Sequence, residues 1–169
     1  MDADIFGANE FNLLPHLVAL LSAYLLAIPI GWNREREERS AGLRTFPLVA
    51  VATCGVVQAA ETLTAGSPEA MARILEGLIT GMGFIGGGAI LRQTESVKGT
   101  ATAASLWVTG AIGAAVGIGS YDVAVMLAIA TVATLWLMEP LKRLGKVSAR
   151  EQKRADSRSA KSGEEGRKR

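Results

Sequence analysis

The chain has 169 residues, 18 of them basic and 16 acidic, and nearly half are hydrophobic. Those averages hide a partition: residues 11 to 141 are almost wholly apolar apart from one charged connector and scattered acids, and the rest of the chain from Lys142 is polar and densely charged. A soluble domain interleaves charge with apolar residues along each helix, so this segregation argues against one. A single cysteine, Cys54, excludes an intrachain disulfide, and its apolar neighbours assign it a small buried role.

The N-terminal stretch M-D-A-D-I-F-G-A-N-E is acidic and lacks the basic n-region of a cleaved signal peptide, so the first span is expected to be retained. About 20 apolar residues cross a bilayer as a helix, and five such spans are predicted. The first runs from Asn12 to Trp32, the second from Thr45 to Ala60 and the third from Arg73 to Leu91. The fourth runs from Thr100 to Gly119 and the fifth from Asp122 to Glu139. His16 falls at the outer end of the first span, in an interfacial structural role. Trp32 and Trp136 lie near the inner boundary, where indoles anchor at headgroup level, while the deeper Trp107 is expected to fill packing volume between helices. The expected fold class is thus all-α, a polytopic membrane helix bundle of five transmembrane helices. Residues 1–141 make the membrane domain, and 142–169 make a basic, disordered cytoplasmic tail.

Lysine and arginine set the orientation. Arg34, Arg36, Arg39 and Arg44 lie in the first connector, Arg92 and Lys98 in the third, and eleven more in the tail; only Arg73 falls on the opposite side. The expected topology is N-terminus out and C-terminus in. The outer face then carries Asp2, Asp4, Glu10, Glu61, Glu69 and Asp122, which either concentrate cations or are ordinary solvated loop charge. The tail is expected to meet anionic lipid headgroups rather than nucleic acid.

The connector N-R-E-R-E-E-R-S-A-G-L-R alternates sign densely. On a surface helix Arg34 and Glu38, or Glu35 and Arg39, would be neighbours four apart on a solvated, salt-bridged face. Arg44 returns a cation to the membrane boundary before Pro47, where pairing with Glu35 would fix how the first two spans meet.

The third span contains G-L-I-T-G-M-G-F-I-G-G-G-A-I-L-R, with six glycines in sixteen residues. In lipid, small residues let helix backbones approach closely. At about 100° per residue, Gly77, Gly81 and Gly88 share one side, with Glu76, Thr80, Gly83 and Gly87 roughly opposite. Two such faces suit a central helix gripped on both flanks, with the fourth span offering Gly110 with Ala114, and Gly113 with Gly117. The Gly86–Gly88 triplet can open the helix locally if protein covers it. Glu76 is the one formal charge well inside a span, and intramembrane carboxylates turn toward a partner or cavity. Its readings are cation contact, a proton-linked switch, or a structural hydrogen bond to Thr80 or a neighbouring helix.

Three motifs in order, G-W-N-R-E with S-A-G-L-R-T, the glycine-rich segment, and V-K-G-T-A-T-A-A-S-L-W-V-T-G-A-I-G, closely resemble the MgtC/SapB membrane family over residues 12 to 140. The matching positions are Arg34, Glu35, Ala41, Gly42, Leu43, Arg44 and Thr45, then Gly81, Gly83, Phe84, Gly86, Gly88 and Arg92. In the third motif they are Gly99, Thr102, Ala103, Ala104, Leu106, Trp107 and Gly113. The resemblance implies a five-span protein of the bacterial inner (cytoplasmic) membrane. It also implies a link to adaptation to low magnesium and, in pathogens, to survival inside host cells. Members are named as magnesium transporters, yet the resemblance points more to regulation of other membrane proteins, the F-type ATP synthase among them. Other members typically carry Glu where this chain has Asn33 and Gln near the position of Glu76, and a folded ACT-like domain follows their last span where this sequence has its basic tail.

Two functions are weighed on this basis. One is a non-enzymatic regulator working by helix contact, as a homodimer or with a transport ATPase or ATP synthase. The other is a small Mg²⁺ carrier working as an oligomer. Mg²⁺ takes a carboxylate or two and keeps several waters, and one chain supplies only Glu76 at depth. No cofactor is expected beyond such an ion. An intramembrane hydrolase would need a nucleophile with a base, paired aspartates or metal ligands; no Asp lies in the interior of a span, and the chain has one histidine.

Overall fold

The computed structural model describes residues 13–37, 41–64, 67–93 and 96–138. Five long α-helices dominate: α1 Leu13–Arg36, α2 Thr45–Thr64, α3 Pro68–Gly88 and α4 Thr100–Ile118, followed by α5 Tyr121–Met138. Residues 1–132 form one compact unit, holding α1 to α4 and the opening turns of α5. Residues 133–169 form a second, of which 133–138, the last turns of α5, are described. The acidic N-terminal residues, Glu38, Arg39 and the basic tail lie outside the described residues.

Helices α1, α2, α4 and α5 are long and apolar enough to cross a membrane. The third helix begins at Pro68, five residues before the expected start, and so takes Glu69 and Arg73 into its own first turns along with Glu76. Its start is written in the sequence: Ser67 Oγ accepts the Ala70 amide at 3.3 Å, and Pro68 stands where no intrahelical donor is needed. The Gly86–Gly88 triplet does not open the helix, which continues to Gly88. There the last turn tightens, with the Ala89 and Ile90 amides donating to the Gly86 and Gly87 carbonyls.

Between α3 and α4 the chain forms a short antiparallel hairpin, β1 Leu91–Gln93 with β2 Ser96–Lys98, where a plain connector was expected. It returns through Gly99, whose φ of 93° is left-handed and where a Cβ would collide with the Ala89 carbonyl oxygen. At the other end of α4, the Ser120 amide reaches back to the Ala115 carbonyl at 2.8 Å across a left-handed Gly119, a Schellman-type stop.

Packing puts small residues inside and large ones outside, as expected where lipid competes equally for apolar side chains. Helix α1 buries Ala19, Ala23, Ala27, Ile30 and Gly31 on one face and leaves Leu14, Leu17, Leu21 and Leu25 exposed. The centre is the pair of α2 and α4, which meet each other most extensively and each touch both α1 and α3; the more deeply buried of the two is α4. It buries Thr102, Ser105, Leu106, Thr109, Gly110, Ile112, Gly113 and Val116 among others. The central, gripped helix is therefore α4 and not α3. Trp107 is 42% exposed on its outer face rather than filling the core. Trp32 and Trp136 are exposed, as interfacial anchors would be.

Candidate functional site: the inner connector and the faces of α3

Two glycines bring the end of α1 against the chain that enters α2. A Cβ on Gly31 would stand 3.2 Å from Leu43 Cα and 3.3 Å from the Gly42 carbonyl oxygen, while one on Gly42 would overlap the Glu35 carboxylate. That proximity lets Glu35 accept the Leu43 amide at 3.1 Å. The Gly42 carbonyl in turn accepts the Thr45 and Phe46 amides at 3.0 and 3.1 Å, closing the first turn of α2. One carboxylate and one carbonyl thus bond the connector's amides, which would otherwise be orphaned at a helix start.

This arrangement corrects two expectations. Glu35 bonds the Leu43 backbone rather than Arg44, and among the described residues the exposed Arg44 forms no ion pair. Arg34 does not lie on a solvated face: it is 2% exposed, its guanidinium donates to Asn33 Oδ1, and Glu37 stands 3.8 Å away. Asn33, noted in the sequence only as a departure from the family pattern, is itself buried and is Arg34's fixed acceptor. A buried cation needs such neighbours because desolvation penalises it heavily.

The glycine-packing residues divide sharply. On α4, a Cβ at Gly110 would collide with the Met82 side chain and one at Gly113 with the Ala50 carbonyl oxygen, so both are close-contact positions. Gly117, named in the sequence as the partner of Gly113, would meet Val57 Cβ at 2.8 Å. On α3, Gly77, Gly81, Gly83, Gly87 and Gly88 have no neighbouring atom within 4 Å of a built Cβ among the described residues. Only Gly86 touches a neighbour, the Ala103 carbonyl at 3.4 Å. The two predicted glycine faces of α3 exist, but neither is gripped among the described residues. A third face, through Met82 and Gly86, does the packing.

Glu76 is exposed on the face shared with Gly83 and Gly87. Thr80 donates to the Glu76 backbone carbonyl at 2.8 Å and not to its carboxylate, which excludes the Thr80 side of the structural reading. Inside the bundle Thr53, Ser105 and Thr109 each donate to the carbonyl four residues earlier in their own helix. Their hydroxyls are thereby satisfied locally. Among the described residues no three of His, Cys, Asp and Glu stand together as a metal site would require.

Gly31 and Met82 escaped the sequence reading. The available signal for Gly31 was a lone glycine eleven residues before a second, Gly42, across a charged connector; nothing in the sequence marked Met82.

The family model described as MgtC family matches residues 20–144. The chain is 36% identical over 145 residues to Protein MgtC of Salmonella typhi, covering 84% of this chain and 62% of that protein. It is 36% identical over 141 residues to Protein SrpB of Synechococcus elongatus, with 76% of each covered. It is 35% identical over 129 residues to Protein MgtC of Brucella abortus, covering 76% of this chain and 53% of that protein. The chain therefore spans about three-fifths of the length of the Salmonella relatives it matches. No solved structure matches it.

Proposed function

The chain belongs to the MgtC family and is a multi-pass membrane protein, and from that premise we propose that it is a non-enzymatic regulator of other membrane proteins, acting through helix contacts. Its setting is the bacterial inner membrane, with the N-terminus out and the basic tail in. The orientation rests on the seventeen of eighteen basic residues assigned to one side, and the low-magnesium context on the family resemblance.

One observation carries the reading. The face of α3 formed by Glu76, Thr80, Gly83 and Gly87 is exposed, and among the described residues no neighbouring atom approaches either glycine. Small residues turned outward from a membrane helix allow a second helix to come close. Large side chains would serve a purely lipid-facing surface equally well, as on the outer face of α1.

The test places a photo-crosslinking amino acid at Gly83 in the full chain in its native host, with Leu17 on the exposed face of α1 as control. A discrete adduct with another membrane protein from position 83 alone is expected. Lipid adducts alone from both positions would remove the reading. The competing reading, a Mg²⁺ carrier working as an oligomer, draws on the same face, because two copies joined there would bring two Glu76 carboxylates together. Mg²⁺ flux into proteoliposomes that Glu76→Gln abolishes would favour it.

A further inference from the structure

A groove of about 890 Å³ runs between α2 and α3, separate from the Gly83 face. Its walls are Leu48, Val49, Ala52 and Val56 on α2 against Ile74, Leu78, Gly81 and Ile85 on α3, and at one end lie Arg44 and Thr45. Arg44 is the one charged residue in the lining. The side chains of Leu48, Val56, Ile85 and Phe84 at the rim are exposed, Phe84 by 85%, so the groove opens sideways toward the membrane.

We infer that this groove binds one anionic phospholipid of the inner leaflet, its phosphate on Arg44 and Thr45 and its acyl chains between α2 and α3. Three observations favour this occupant. The first is length: from Thr45 to Val56 a helix rises about 17 Å at ~1.5 Å per residue, close to half of the ~30 Å hydrocarbon core. That is the depth of one leaflet, whereas a partner's spanning helix would need a seam along the whole thickness. The second is the placement of charge, one cation and a hydroxyl at the end and apolar walls beyond, which matches an anionic head on hydrocarbon tails. Guanidinium takes phosphate oxygens in bidentate fashion, and basic pockets between spans on the cytoplasmic side are where anionic headgroups settle. The third is the availability of Arg44, whose guanidinium is exposed and forms no ion pair among the described residues. The open glycines contribute shape: side chains at Gly77 and Gly81 would narrow the α3 wall.

The leaflet assignment rests on the proposed orientation; binding itself does not. The experiment uses the full chain purified in detergent and reads lipid retention by native mass spectrometry, with phosphatidylglycerol and phosphatidylcholine as probes. Phosphatidylglycerol should be retained in preference. Arg44→Ala should weaken that preference about tenfold or more, as loss of a charged hydrogen bond implies, and Arg44→Lys should restore part of it. Ala52→Trp, which fills the groove and leaves every basic residue of the tail in place, should reduce retention of phosphatidylglycerol. Sizing chromatography and circular dichroism identify variants that fold as the parent does. A second measurement needs no variant: a phosphatidylglycerol with a photoactivatable acyl chain should label peptides spanning 48–56 and 74–85. Equal retention of both lipids, a preference unchanged in folded Arg44→Ala or Ala52→Trp, or labelling confined to other helices would overturn the inference. So would an Ala52→Trp protein that changes oligomeric state while keeping its lipid, since a second copy would then occupy the groove. A reversed topology, read separately by reporter fusions, would move the site to the outer leaflet without altering these results.

Discussion

Gly113 of α4 rides directly on the Ala50 carbonyl of α2: a methyl group built there would overlap that oxygen and stand 2.9 Å from the carbonyl carbon. Backbone cannot step aside as a side chain can. Gly113→Ala should therefore destabilise the protein by about 1–3 kcal/mol, the usual cost of overpacking. Gly110→Ala should cost less, because its obstruction is the flexible end of Met82. Thermal unfolding of the two variants in one detergent checks the order; equal losses would mean that α2 and α4 can separate freely.

The open faces of α3 predict the opposite behaviour. Gly83→Leu and Gly87→Leu should each leave the fold of the single chain within about 0.5 kcal/mol of the parent, as surface changes do. Among the described residues neither position has a neighbour to push. Loss of activity in the host with unchanged folding would then locate the helix-contact surface. Loss of folding in both would show the isolated chain to be incomplete on that side.

At the inner connector, Glu35 and Arg44 act independently. Glu35→Ala removes the acceptor of the Leu43 amide and should cost about 1 kcal/mol. Combined with Arg44→Ala, the two losses should add within about 0.5 kcal/mol, as for residues that share no contact. A double-mutant cycle in detergent unfolding measures this, and a coupling well above that value would restore the ion pair. Arg34 is a different case: Arg34→Ala leaves Asn33 without its donor in a buried site and should cost more than either, about 2–3 kcal/mol.

Orientation has a direct test. A reporter fused after Arg169 should read cytoplasm and one inserted after Leu63 the outer side. The same compartment at both points would contradict the basic-residue asymmetry on which the topology stands.

Glu76→Gln keeps shape and hydrogen-bonding capacity while removing charge, so it should fold normally at an exposed position. If magnesium is carried, added Mg²⁺ should no longer change the variant's thermal stability or flux. A full magnesium response in Glu76→Gln would remove the carrier reading's ligand at depth.

Much of this architecture was legible in the order of residues alone. Segregated apolar stretches fixed the number of helices, because a backbone in lipid must bond to itself. Gly119 ends the fourth span where expected, while the Ser67-Pro68 start of α3 is equally local chemistry of a helix end, five residues before the Arg73 start that the apolar run alone suggested. What tertiary structure decided was which small residues face which neighbour. Gly77, Gly83 and Gly113 are alike in sequence, yet Gly113 meets Ala50 while Gly77 and Gly83 meet nothing among the described residues. Composition cannot separate them, since a glycine fits a tight contact and an open surface equally. Likewise Arg34 and Arg36 sit two residues apart in one charged run, and the turn of α1 buries the first against Asn33 and exposes the second. Charge pattern gives the sign of a surface, but only the direction in which a helix rolls against its neighbours settles whether a given charge meets water, lipid or protein.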